Sequence, residues 1–363
     1  MNCACNPASG KNHGKRMIVA GLMTSGILAM ALAATATSLL VQDTAGSRMT
    51  RAAKDFIASL DADQKKFVSF EFGDKERTNW NFVPLQDKER KPTRKGIRLE
   101  LLSATQREKA LALLRTGTSD RGYQSALDIM SLESVLNRQE KPGGNVRNPS
   151  WYFVSVFGEP GSDSGWGWRW EGHHLALNFT LSGSQVTGTT PAFFGANPAE
   201  VRSGPEKGKV SIEGCSSLAL KLIASLSTEQ ASKGSASKAG AEIDQGQSKP
   251  PAQVLTGEGI SAADFNPDQT ATFTQLLREY TGRLPAELEA REWALVKSFP
   301  PSAVKFQYFR NIQGKGTPTT YRVEAPGFLI QYLNVQADGE GNPANHIHSA
   351  FRHVAGDFGN PSR

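Results

Sequence analysis

The chain has 363 residues, a formal charge of +6 and 38% hydrophobic residues. That is enough apolar material for a packed core, so a wholly disordered chain is excluded. With only 3 Cys, a scaffold held together by disulfides is excluded too.

The N-terminus reads as an address. Residues 1–16 carry Lys11, Lys15 and Arg16 and no acid, and no charge occurs from Met17 to Val41. A basic flank before an apolar run is a secretion signal or a membrane anchor, and 1–41 is assigned to it. The run is long enough to span a bilayer. It is also rich in small residues, and Ala34-Thr35-Ala36 fits a signal cleavage site. Either way the rest of the chain is expected to be exported to the periplasm, the envelope or the medium. Membrane contact is expected only through this segment. Cys3 and Cys5 would leave with a cleaved signal, and Cys215 would remain as a buried thiol. No basic stripe interleaved with aromatic residues is present, which argues against nucleic acid as a partner.

Further along, four helix starts share one signature. Asp61 precedes Gln64, Ser103 precedes Gln106, Ser227 precedes Gln230, and Asn266 precedes Gln269. Each is an N-cap acceptor followed three residues later by Gln, the capping-box arrangement. Pro267 suits a first helical position, and the run behind it predicts two helices broken near Gly282–Pro285. Strands are predicted at 150–158, through "GWGWRWEGHHLALNFTLSG" and "QVTGTTPAFFGA", and in three C-terminal runs ending at "ANHIHSAFRHV". Residues 231–253 read as a polar linker or long surface loop.

Aligning the caps exposes a possible repeat. "FIASLDADQ" at 56–64 matches "LIASLSTEQ" at 222–230. "LLSATQREKALALL" at 101–114 resembles "DFNPDQTATFTQLL" at 264–277, and "WRWEGHHLALNF" at 168–179 resembles "YRVEAPGFLIQY" at 321–332. The expected fold class is therefore α+β, with two similar helix-plus-antiparallel-sheet halves at 52–220 and 221–359.

The histidines carry the chemistry. Of 6 His, His13 lies in the address; the others fall at His173 and His174 and at His346, His348 and His353. Imidazole is a common transition-metal ligand. His346-Ile347-His348 places two rings on one face of a strand. On an earlier strand Arg169, Glu171 and His173 share a face with the apolar Leu175, Leu177 and Phe179, a polar-to-apolar change that suits a ligand entry. Adjacent His173 and His174 point to opposite faces unless a bulge intervenes. These residues support three readings: a metal site, a polar pocket without metal, or structural histidines. In the first, His173, His174, His346 and His348 are candidate ligands for a divalent transition metal, with zinc favoured. Glu171 and Asp357 are then candidate bases or further ligands, and the site lies between the two halves. "FFGANPAEVRSGP" offers Asn197 and Arg202 to an anionic group of a small-molecule substrate. Its alternative reading is a structural loop with a surface Arg. The usual nucleotide, serine-hydrolase and zincin motifs are absent.

The blocks "ERTNWNFVPL", "GWGWRWEGHHLALNFT", "FFGANPAEVRSGP" and "NHIHSAFRHVAGDFG" are similar to those of the family catalogued as domain of unknown function 3500. The resemblance runs from about Ala52 to Gly359. It implies a bacterial or fungal protein, often exported, with no established reaction. The matching positions include Glu171, His173, His174, Asn197, Arg202, Asn345, His346, His348 and Asp357. A metal-dependent enzyme, most simply a hydrolase, is the leading functional expectation. A non-catalytic protein binding a metal or small ligand is the alternative.

Overall fold

The computed structural model describes residues 43–246, 251–311 and 317–359. The expected signal or anchor at 1–41 lies outside the described residues. Among those described, no helix is long and apolar enough to cross a membrane.

The elements follow from the local signals. Helices α1 (Ala45–Ala58) and α2 (Ala62–Val68) precede β1 (Ser69–Phe70) and β2 (Ile97–Arg98). Then come α3 (Ala104–Thr116), α4 (Asp120–Gln139), β3 (Phe153–Phe157), β4 (Trp166–Gly172), β5 (Leu175–Ser182), β6 (Gln185–Gly188) and β7 (Ala192–Ala196). The order continues with α5 (Glu213–Ala224), α6 (Thr228–Gly234), β8 (Ile260–Ser261), α7 (Pro267–Thr281) and α8 (Ala286–Lys297). It closes with β9 (Lys305–Arg310), β10 (Thr319–Glu324), β11 (Phe328–Gln336) and β12 (His346–His353). All four expected capping boxes form. The boundary expected at 220/221 falls inside α5.

The capping glutamines also cross-link helix starts. Gln64 donates to the Leu101 carbonyl and Gln106 to the Ser59 carbonyl, and the two side chains bond each other. Gln230 and Gln269 do the same with Asp264, Ser225 and each other.

All the strands join one mixed sheet in the order β1-β3-β4-β5-β7-β12-β11-β10-β9-β8, with β2 also on β3 and β6 on β5. The central pair is β7 against β12, antiparallel, with Phe194 opposite Ser349. Side chains alternate between faces. One face packs on the helices: Trp168, Phe194, Tyr321 and Phe351 share a core with Phe56, Leu113 and Leu276. The other face carries a smaller core in which Trp80, Phe82 and Ile243 cover Phe193 and Ala350.

One correction concerns the second face. Residues 168–179 are not one strand: they form the β4–β5 hairpin, with Gly172 opposite Leu175 and a turn at His173–His174. The turn puts Leu177 opposite Trp170, so Leu175, Leu177 and Phe179 face the helices while Arg169 and Glu171 face away. The polar-to-apolar change along one face does not exist. Of the two readings of residues 231–253, the described part, 231–246 and 251–253, agrees with a surface loop held to the fold rather than a free linker. The segment is helical to Gly234, then docks on the sheet: Ala236 N–H donates to the Tyr308 carbonyl, Gly240 N–H to Thr320 Oγ1, and Ile243 is buried.

Candidate metal centre

Three imidazoles meet where the second face crosses the β7–β12 seam. His174 comes from the β4–β5 turn, and His346 and His348 come from the start of β12. His174 Nε2 lies 2.7 Å from His346 Nε2 and 3.1 Å from His348 Nε2. Two nitrogen ligands about 2.1 Å from a tetrahedral zinc stand roughly 3.4 Å apart. The His174–His348 pair is within a few tenths of an ångström of that requirement, whereas the His174–His346 pair is about 0.7 Å too close and would have to part to admit an ion. The donor set fits a transition metal. The triad could hold a metal ion.

The backbone explains how His174 gets there. It is held at φ +62°, in the left-handed region, where a residue with a Cβ costs about 1 kcal/mol or more. Its N–H donates to the Phe82 carbonyl and its carbonyl accepts from Gly195 N–H, both at 2.8 Å. Gly195 lies opposite His348. A Cβ there would stand 2.6 Å from the Ile347 carbonyl oxygen and 3.0 Å from His174 Cδ2, so only glycine admits the ring. Buried Asn345 ties β12 to the chain after β7, bonding Glu200 through both its side-chain atoms.

Two of the three rings have further partners. His348 Nδ1 lies 2.9 Å from the Glu242 carboxylate. His346 hydrogen-bonds the Ala337 backbone. A carboxylate on Nδ1 fixes the proton there and leaves the Nε2 lone pair toward the centre, the usual support of a ligating histidine. Burial, and then the neighbouring imidazoles, hold the pKa of His174 well below its ordinary range. Burial together with His348 brings His346 down to about 3. These two rings are neutral at pH 7, the form that a metal ligand requires, and one of their Nε2 atoms donates to the other across the 2.7 Å contact.

The remaining site candidates are placed elsewhere. The His173 ring stacks on His174 with centroids 3.8 Å apart, because the turn brings together rings that a strand would separate. Its Nδ1 lies 2.5 Å from Glu133 and 3.0 Å from Arg147, so it backs the triad and is no member of it. Glu171 is locked between Arg94 and Arg169 and accepts from Asn81 N–H. A carboxylate so saturated is not a base. Asp357 lies beyond the opposite end of β12 and accepts from Arg352 Nε at 2.7 Å. Asn197 is buried, and Arg202 is an exposed side chain 3.6 Å from Glu200. Neither is brought to the triad by any hydrogen bond among the described residues. Cys215 is buried, with Arg283 donating to its sulfur at 2.9 Å.

Sequence reasoning missed Glu242 and Glu133, and read Gly195 only as part of a turn that could face an anion. The one available signal for Glu242 was the single Ile beside it in a stretch of small polar residues.

Fold and site together define an α+β protein with a buried three-histidine centre on a single large sheet. The chain belongs to the DUF3500 family of proteins of unknown function, whose match spans residues 42–360. No curated protein and no solved structure matches it.

Proposed function

We propose that the protein is an exported metalloprotein whose His174, His346 and His348 bind one divalent transition ion, zinc above others, for hydrolysis of a small molecule. The observation that carries the metal reading is the convergence of three Nε2 atoms with an outer carboxylate on His348 Nδ1. Three nitrogen ligands leave one position of a tetrahedral ion for water, whose pKa such an ion lowers toward 7. The chain's own contribution is to hold the rings neutral and fixed. Phe82 and Phe193 pack on His348 and exclude bulk water from that side. Export rests on the basic and apolar pattern of residues 1–41.

A second reading is a non-catalytic metal-binding protein. Burial favours it: His174 is 3% exposed and His348 6%, and a closed site serves structure or storage rather than turnover. We also propose that the two halves descend from a duplication. The recurring order of helices and strands, and the recurring glutamine cross-links at the helix starts, support it.

The test is elemental analysis of untagged protein beside a His346→Ala/His348→Ala variant. About one zinc per chain, lost in the variant, is expected. Equal metal in both removes the site. Exchange-labile water on a cobalt-substituted centre separates the enzyme from the closed site.

A further inference from the structure

Arg169 and Arg322 occupy matching places on the second face. Arg169 on β4 lies between Ser155 and Asn178, and Arg322 on β10 lies between Gln307 and Gln331. Each pairs with a glutamate two residues on, Glu171 or Glu324. What covers them differs. Arg169 is capped by the chain itself: Nη1 donates to the Glu76 carbonyl at 2.7 Å and the Asn79 carbonyl at 3.1 Å, and Nη2 to the Glu76 carboxylate at 2.5 Å. Among the described residues Arg322 has only the Val254 carbonyl at 2.6 Å besides Glu324. The Nε atoms of both arginines are buried without a hydrogen-bond partner; the difference lies at Nη1, to which nothing is bonded on Arg322 among the described residues. Above it lies a cavity of about 700 Å³, bordered by Lys238, Glu258, Gln307, Thr320 and Gln331. That size is typical of a ligand pocket.

We propose that this cavity is a binding site for a short peptide carrying one carboxylate, which takes on Arg322 the place that Glu76 and its neighbouring carbonyls take on Arg169. The first half supplies the chemistry directly: one carboxylate and two amide carbonyls on one guanidinium. A guanidinium binds such oxygens through paired, charge-assisted hydrogen bonds. Gln307 and Gln331 add amide donors and acceptors on the same strand row. Glu242, Asp244 and Glu258 also border the cavity and repel a polyanion, which restricts the ligand to a single carboxylate. The proposal stands without a metal at the triad.

The test is calorimetry on the full, metal-stripped chain with acetyl-Ala-Glu-Ala-amide, its Gln analogue and acetyl-Ala-Ala-Ala bearing a free C-terminus. Binding of the Glu peptide or the free-acid peptide below about 1 mM is expected, with the Gln analogue at least tenfold weaker. The first two distinguish a side-chain from a terminal carboxylate. Arg322→Met is expected to weaken binding at least tenfold. Because Arg322 also holds Glu324, Gln307→Trp is the companion: it fills the cavity from the strand beside Arg322 and leaves that ion pair intact, and it is expected to abolish binding. Absence of binding by both acidic peptides, equal binding by the Gln analogue, or undiminished binding by a folded Gln307→Trp overturns the proposal.

Discussion

The two ends of the central β7–β12 pair both set an imidazole beside an acid, yet they are built for opposite purposes. At the start of β12 the acid, Glu242, stands behind His348 on Nδ1, and the Nε2 atoms of three rings point at one another. At the end of β12, His353 turns its own Nε2 onto Glu292 at 2.6 Å. Glu292 also accepts from Thr189 Oγ1 and Arg291 Nη2, each at 2.9 Å. There the outward nitrogen is spent on the carboxylate, and the cluster is a hydrogen-bonded clasp between α8 and the sheet. Which nitrogen faces the acid decides whether a buried histidine holds the fold or offers itself to a ligand. His173, with Nδ1 on Glu133 and its ring on His174, lies between the two cases.

The clasp gives the largest expected effect on stability. Glu292→Ala orphans the buried Thr189 hydroxyl and strips Arg291 and His353 of their shared carboxylate, at a cost of about 3 kcal/mol. Metal content is expected to be unchanged, and a variant that loses both stability and metal breaks the distinction drawn between the two ends. The same carboxylate gives a pH signature. Burial alone would raise its pKa, but His353 and Arg291 override that and lower it from 4.5 to about 2. A depressed acid contributes stability that is complete above pH 4.5 and is lost as pH falls toward 2. The shift corresponds to about 3 kcal/mol. Denaturation at a series of pH values is expected to show a flatter acid limb in Glu292→Ala than in the native chain.

Gly195→Ala comes next and bears on the triad end. Its new Cβ would stand 2.6 Å from the Ile347 carbonyl oxygen, a backbone atom in the neighbouring strand that cannot turn aside. Overpacking of this kind costs about 2 kcal/mol. Because His174 is pressed by the same atom, zinc content is expected to fall together with stability, unlike in Glu292→Ala. Retention of full metal content would show that the triad tolerates a displaced His174.

What could be read from the sequence divides along physical lines. The capping boxes are local, three residues from acceptor to donor, so Asp61, Ser103, Ser227 and Asn266 declare their helices without tertiary help. The pairing of His346 with His348 follows from strand periodicity alone. The turn at His173–His174 was hidden because neither residue is a customary turn former, and the left-handed φ of His174 is sustained by bonds to Phe82 and Gly195 that sequence spacing does not reveal. The roles assigned to Glu171 and Asp357 depended on the absence of close cations. Arg94 and Arg352 supply those cations, and Arg94 is distant in sequence from the acid it neutralises. Composition hid Glu242 in a segment that reads as solvated.

Glu242 gives the smallest effect on stability and the sharpest test of the contrast between the two ends. Its side chain is 43% exposed, so Glu242→Ala is expected to change folding stability by less than about 1 kcal/mol. If its carboxylate sets the tautomer of His348, its loss frees the ring to protonate Nε2 and swing, and zinc affinity falls about 10- to 100-fold. Glu242→Gln keeps an oxygen acceptor for Nδ1–H while removing the charge, so a loss of less than tenfold is expected. Chelator competition on the three proteins measures the series. Equal affinities across it would mean that the Ala337 backbone and the surrounding aromatic rings suffice to orient the ligands. The acid on Nδ1 would then be no part of what separates the triad from the clasp.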